Sequence, residues 1–382
     1  MIFITDFYSL LRSVQAQIHK LFYVFLIMTF CSCDIPSKKP NEPTPENCMP
    51  NNSIIKNDFN NLSKIEYAKS SRTEGMIFVK GGEFEMGGDN DDAKRDEFPK
   101  HKVFVKSFWM DETEVTNNQF MRFVDETQYI TTAEKVIDWE EIKQILPPGT
   151  KKPHDSLMSP ASLIFLQTQA SNLNDHSQWW RLEKNVNWRH PLGKDSNIDN
   201  KGNHPVVHIS WDDAMAYCKW AGKRLPTEAE FEYASRGGLK NNIYSWGNES
   251  VFEGKLKANI WEGKFPSKNI LNDEYYYSAP VKSFPPNRYG SYDLGGNVWE
   301  WCSDWYAYDY YSIISQNISI NPQGPTRSYD PNEPYTPKKV MRGGSFLCND
   351  SYCSGYRNSM RMKSSPDSSY IHTGFRTVVD ID

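Results

Sequence analysis

The spacing of apolar and polar positions divides the chain into three stretches. Leu21 to Cys31 is a short apolar run preceded by Arg12, His19 and Lys20; it is too short to cross a bilayer and matches the apolar centre of a secretion signal. From Asp34 to about Glu74, Lys, Asn, Pro and Ser replace large apolar side chains, so this stretch buries too little surface to offset the entropy of ordering it. Regular patterning starts at Met76. Met76-Ile77-Phe78-Val79 reads as a strand, Lys80-Gly81-Gly82 as a turn and Glu83-Phe84-Glu85-Met86-Gly87 as an alternating strand, which together predict an opening hairpin. Val103-Phe104-Val105 with Phe108-Trp109-Met110 predicts one further short strand. The expected organisation is a signal or lipoprotein peptide over 1–33, a disordered tether over 34–75 and one folded domain over 76–382.

Helical spacing follows. Thr116 is placed to cap a helix carrying Phe120, Phe123 and Val124 on one face. Ser210 precedes Trp211 to Ala221, with Asp212 and Asp213 at the positive end of the helix dipole and Gly222 at the close. Thr227-Glu228-Ala229-Glu230 is a capping box opening a third helix, closed by Gly237-Gly238. No long periodic segment occurs after that, so short strands and turns are expected. Residues 138–178 contain Pro147-Pro148-Gly149 and Lys151-Lys152-Pro153 and are expected to be a surface insertion.

Composition narrows the class. Hydrophobic residues are 38% of the 382 and charged residues 24%, enough to fold, while a mean hydropathy of -0.68 leaves room for at most one membrane span. The 12 Trp and 21 Tyr suit a loop-rich fold whose core is built from rings. A net charge of -5 gives no positive field for a phosphate backbone and excludes a nucleic-acid partner. Ser32 supplies the small residue expected before a lipid-modified cysteine, so Cys33 is read as a lipid anchor of an exported protein, periplasmic or held at the membrane, with simple cleavage of the signal as the alternative.

Six phrases then occur in order. They are Met76-Ile77-Phe78-Val79-Lys80-Gly81-Gly82 with Met86-Gly87; His204-Pro205-Val206-Val207-His208-Ile209-Ser210-Trp211; Lys223-Arg224-Leu225-Pro226-Thr227-Glu228-Ala229-Glu230; Gly296-Asn297-Val298-Trp299-Glu300-Trp301; Arg342-Gly343-Gly344-Ser345; and Gly374-Phe375-Arg376. Together they resemble the formylglycine-generating enzyme (sulfatase-modifying factor) family. The resemblance implies an α+β, C-type-lectin-like fold with sparse regular structure. It also implies a catalytic domain that oxidises a cysteine in a Cys-x-Pro-x-Arg motif of an unfolded sulfatase polypeptide to Cα-formylglycine with O2. The fold has non-catalytic relatives as well, so function must rest on the site.

The segment Gly343 to Cys353 resembles the one that holds the family's cysteine pair, which implies Cys348 and Cys353 as ligands of Cu(I). Thiolates select this soft ion over harder divalent metals, and two-sulfur coordination leaves room for a substrate thiol. Zinc would want four ligands, and no third or fourth Cys or His lies nearby. A short-loop disulfide between Cys348 and Cys353 stays open as an alternative, and with it a surface lipoprotein that uses the fold for binding. A third reading, an iron oxidase, lacks a histidine ligand set near the pair. Ser345 and Tyr352 match polar residues of the family's metal pocket and are expected to orient substrate or oxygen. Asn349, where many members carry His, and Ser354-Gly355, in place of a larger polar pair, depart from the pattern. Positions that carry further disulfides in eukaryotic members are Ser235, Asn358 and Thr377 here, leaving Cys218 as a buried free thiol; Cys302 is read as packing. The resemblance finally implies two Ca2+ sites, one from Asn259, Ile260, Asp273 and Tyr275 and one from Asp293, Gly296, Val298 and Glu300, whose hard oxygen donors suit that ion.

Overall fold

The computed structural model describes residues 71–381, apart from 141–142, 144–148, 156–157 and 171. The apolar run at Leu21 to Cys31, the Cys33 anchor and the tether up to residue 70 lie outside the described residues. Among those described, no helix is long and apolar enough to cross a membrane.

Strands β1 (Met76–Val79), β2 (Gly82–Met86), β3 (His101–Val105) and β4 (Phe108–Asp111) open the fold, and β4 is buried along its whole length. A buried strand needs partners on both edges. β4 takes β1 on one side and the C-terminal strand Val378–Asp380 on the other, both antiparallel. The expected hairpin is therefore not formed: β2 pairs with β3 in a second sheet. Gly81 lets the chain cross between the sheets, since a Cβ there would lie 2.4 Å from the Val105 carbonyl oxygen. For the same reason residues 103–110 are two strands in two sheets rather than one, parted at Lys106 and Ser107.

Helices α1 (Asn117–Thr127), α2 (Trp211–Ala221) and α3 (Glu228–Arg236) start where the capping residues predict. Thr116, Ser210 and Thr227 each accept the backbone N–H three residues on, and Gln119, Asp213 and Glu230 return a bond to the cap. Such a cap contributes about 1 kcal/mol. Gly222 and Gly237 close α2 and α3 in the left-handed conformation.

The expected insertion lies at the surface over its first part, where the described residues of 138–155 are exposed or half-buried, but its later part enters the core. Strand β5 (Ala161–Phe165) pairs antiparallel with β6 (Trp180–Lys184), and Phe165 packs with Trp179, Trp261, Phe265, Phe346 and Leu347. The prolines break the period before residue 154, but the buried Ser162, Ile164 and Phe165 after them belong to a strand. A two-residue ribbon, β7 (Gly263–Lys264) with β8 (Lys268–Asn269), precedes the longest strand, β9 (Trp299–Trp305). After α4 (Tyr310–Ile314) and β10 (Ser319–Ile320), strands β11 (Lys339–Arg342), β12 (Met362–Ser364) and β13 (Thr373–Gly374) complete a sheet in the order β12-β11-β9-β13. The chain ends in β14, Val378–Asp380.

Buried ion pairs fasten these pieces. At the end of β11, Arg342 bonds Glu228 (3.0 Å) and Glu232 (2.5 Å) of α3, Arg361 adds 2.7 and 2.9 Å bonds to Glu228, and Arg376 grips Glu300 of β9 through bonds of 2.6 and 2.7 Å. Removing one partner of such a pair leaves an uncompensated buried charge and costs about 3–5 kcal/mol. Arg342 thus fixes the point from which the cysteine-bearing loop departs.

Candidate active site and cation sites

Beyond Arg342 the chain turns through Gly343 and Gly344 into Ser345. The Cys348 N–H donates to the Ser345 carbonyl at 2.8 Å, and the N–H groups of Tyr352, Cys353 and Ser354 converge on the Asn349 carbonyl at 3.1, 2.9 and 2.9 Å. This turn folds Cys353 back onto Cys348, whose thiol hydrogen-bonds to it. Both cysteines are free thiols, so the disulfide alternative does not describe this structure.

Three bonds dock the turn on the segment before β7. Trp261 N–H donates to the Cys348 carbonyl (3.0 Å), and the Asn349 amide donates to the carbonyls of Trp261 and Gly263 (3.0 Å each). The Asn349 Oδ1 accepts from Ser351 N–H and Oγ, so every polar group of this buried side chain is used inside the protein. Gly355 closes the loop where no side chain fits: a Cβ there would lie 2.5 Å from Cys348 Sγ and 2.6 Å from the Trp299 ring.

The two thiols differ. Burial pushes Cys348 well up, and its neighbour Cys353 adds to the rise; the Ser345 N–H at 3.3 Å from its sulfur only partly offsets this. Burial also opposes ionisation of Cys353, yet the bond from Cys348, the backbone N–H groups of Gly355 and Asn349 and the charge of Lys94 hold its thiol below the usual range. The contact between the two sulfurs thus raises one thiol and lowers the other.

The pair opens into a cleft of about 530 Å³. One wall is aromatic: Tyr352 stacks on Phe265 with centroids 4.3 Å apart, and Trp180 stands beside them. The other wall carries Met341, Met360 and Met362 with Lys94 and Lys363. Ser345 lies at the floor, its Oγ 4.0 Å from Cys348 Sγ. Sequence reasoning brought Ser345, Cys348, Tyr352 and Cys353 here correctly because they share one loop. It missed Leu163, His176 and Ser177 from the supposed insertion, Trp180 just after it, and His372, whose burial holds its pKa down at about 3 and keeps it neutral. The short apolar run Leu163-Ile164-Phe165-Leu166 was the one signal of a buried strand there.

The first oxygen set holds two acceptors that the chain leaves unsatisfied. Asn259 Oδ1 and Asp273 Oδ2 are both buried without a hydrogen-bond partner, although Asn259 donates its amide to the Tyr277 carbonyl (2.8 Å) and Asp273 accepts the Tyr275 N–H (3.0 Å). Such orphaned oxygens are costly unless a cation faces them. Burial, with the charge of Glu262, raises Asp273 to about 6. In the second set the protein already engages the side-chain oxygens: both Glu300 oxygens are bonded by Arg376, and Asp293 accepts the Lys282 N–H (2.9 Å). Oε2 of the neighbouring Glu114 accepts no hydrogen bond and lies 4.0 Å from Arg376 Nη2; burial and the charges of Asp293 and Glu300 raise this carboxyl well up.

A sequence model of the sulfatase-modifying factor enzyme 1-like domain matches residues 62–381. The chain belongs to the sulfatase-modifying factor family. Among its relatives, the formylglycine-generating enzyme of Mus musculus is 43% identical over 306 residues, covering 80% of this chain and 75% of that protein. The enzyme of that name from Thermomonospora curvata is 42% identical over 310 residues, covering 80% and 94%. A Bos taurus protein named inactive C-alpha-formylglycine-generating enzyme 2 is 36% identical over 310 residues, covering 80% and 88%. The structure of PvdO from Pseudomonas aeruginosa, 23% identical, covers 80% of this chain and 94% of its own with a TM-score of 0.52, a likeness of fold. The mixed, sparsely regular architecture is thus the one the family resemblance implies. Two of the positions that the resemblance links to further disulfides meet here through a hydrogen bond, Ser235 Oγ donating to Asn358 Oδ1 at 2.6 Å. Asn349 and Gly355 are packing and docking residues rather than parts of the cleft wall.

Proposed function

We propose that this protein is a formylglycine-generating oxidase that converts a cysteine of an unfolded sulfatase polypeptide to Cα-formylglycine with O2, holding one Cu(I) between Cys348 and Cys353. The observation that carries the reading is the pair of free, mutually bonded thiols at the floor of a cleft. A binding module has no use for such a pair, which weighs against the non-catalytic lipoprotein reading.

Cu(I) bound by these two sulfurs would supply activation of O2 beside the entering cysteine. The residues of the chain do the rest. Cys348 and Cys353 give up their protons on metal loading. The Tyr352, Phe265 and Trp180 wall keeps water from the reacting atoms, while Ser345 and Tyr352 orient substrate or oxygen from floor and wall. The substrate cysteine loses two electrons and two protons from its Cβ and sulfur to O2, which leaves as hydrogen peroxide; water then replaces sulfur at the thioaldehyde and releases hydrogen sulfide. Asn259 and Asp273, with the carbonyls of Ile260 and Tyr275, would hold Ca2+ and stiffen loops that no sheet organises. Cys33 is read as the lipid anchor of an exported enzyme, on the strength of the apolar run before it.

The test is to incubate the protein with Cu(I), O2 and a Cys-x-Pro-x-Arg peptide and weigh the product. Exchange of sulfur and two hydrogens for one oxygen is expected. An unchanged peptide with fully metallated protein would favour the binding module.

A further inference from the structure

The cleft in front of the thiols contains two cationic side chains and, among the described residues, no carboxylate. That is unusual in a chain whose net charge is -5. Lys94 is exposed at the rim and close enough to Cys353 to act on its charge. Lys363, half-buried on β12, stands with its Nζ 3.4 Å from the Tyr306 hydroxyl and 4.6 Å from the centre of that ring. The acids nearest Lys363 are committed elsewhere: Asp96 accepts the Tyr306 hydroxyl at 2.7 Å, and Asp330 bonds Lys338 at 2.5 Å. Neither Lys94 nor Lys363 forms an ion pair among the described residues. His372 on the same cleft is neutral, so the two ammonium groups set its charge.

From this we infer that the Lys94 and Lys363 end of the cleft is a subsite for an acidic side chain of the polypeptide substrate, near its reacting cysteine. The inference rests on the oxidase reading, since it concerns the same cleft. The arginine of the substrate motif would meet like charge at this end, so the subsite serves a different flanking position. A carboxylate entering beside Lys363 would give this half-buried ammonium a direct ion pair, where the chain supplies a hydroxyl, a ring face and two acids already bonded to other groups. Two like charges converging on one rim also steer an acidic segment toward the thiols before it docks.

The experiment uses the full chain and a matched peptide series. Each peptide carries the same reacting cysteine, with Glu, Ala or Lys placed in turn at each of the flanking positions. One set with Ser in place of the cysteine reads binding by fluorescence anisotropy without added copper, and one set with cysteine reads turnover by mass. At one or more positions Glu should tighten binding and lower KM by about fivefold relative to Ala, Lys should do the reverse, and the ratio should shrink in high salt. The Lys94→Gln and Lys363→Gln double variant should bring the Glu-to-Ala ratio close to one, and Lys363→Arg should keep it. Conversion of the Ala peptides with no Glu preference at any position overturns this inference and leaves the oxidase reading standing. Failure to convert any peptide, with the Glu preference in binding intact, overturns the oxidase reading instead.

Discussion

Two buried asparagines serve two loops in opposite ways. Asn349, in the thiol loop, donates to two carbonyls and accepts from Ser351, so its loop is complete with protein atoms alone. Asn259 donates to the Tyr277 carbonyl and to Asn297 Oδ1, but its buried Oδ1 accepts no hydrogen bond, and neither does Oδ2 of Asp273. The thiol loop is held by the polypeptide and keeps its sulfurs for chemistry. The oxygen-lined segments leave two acceptors that the chain does not satisfy. Trp261 joins them, since it follows Asn259 and Ile260 and its N–H holds the Cys348 carbonyl.

Breaking the first loop at its chemistry has the largest expected effect. Cys353→Ser should lower turnover by about three orders of magnitude or more while leaving the melting temperature near that of the parent, because a serine oxygen can accept the same backbone N–H groups. Surviving activity would mean that the metal assignment is wrong. Next, Asn349→Ala should destabilise the protein by about 2–4 kcal/mol, since the carbonyls of Trp261 and Gly263 lose buried donors; urea unfolding with and without Ca2+ should give the same loss.

The oxygen-lined loop should answer to ions instead. A hundredfold excess of Ca2+ over its Kd should stabilise the parent by about 2.7 kcal/mol, and Asn259→Ala should remove most of that gain in addition to a metal-independent loss of about 1–3 kcal/mol from the donor taken from the Tyr277 carbonyl. The pH dependence follows from Asp273 and Asp293, both raised from 3.8 to about 6, in each case first by burial. Because the folded value lies above the unfolded one, the metal-free protein loses stability as pH rises from about 4 to 6. Ca2+ binds the ionised form, so its stabilising effect should be full above about pH 6 and fade as pH falls through that value, read as the difference in Tm between Ca2+ and chelator. The smallest effect is expected from Tyr352→Phe, which keeps the stack on Phe265 and should change kcat by less than about tenfold.

Much of this was legible in the chain and some was not, for reasons of range. The three caps lie within four residues of the bonds they make, and each helix begins where the sequence predicts. The four residues around the thiols share one turn. What the pattern could not convey is pairing at long range: β1 and β2 look like a hairpin because their alternation is right, but β4 needed two partners and took β1. Residues 161–165 look like part of an insertion because the prolines before them hide a strand. The family phrases themselves have a physical meaning that spacing alone does not disclose. Arg342 of one meets Glu228 of another, and Arg376 meets Glu300, so several phrases are one another's buried ion partners. Glu114, in none of them, stands beside Glu300 on the same arginine.

The most direct measurement is a Cu(I) titration of the reduced protein against a chromogenic competitor, repeated with Cys348→Ser and with Cys353→Ser. The account predicts one equivalent of tightly held copper in the parent and loss of that equivalent in either variant, with Cys218 and Cys302 taking up none. Retention of the copper in both variants, or a parent that binds none with its thiols reduced, would contradict it.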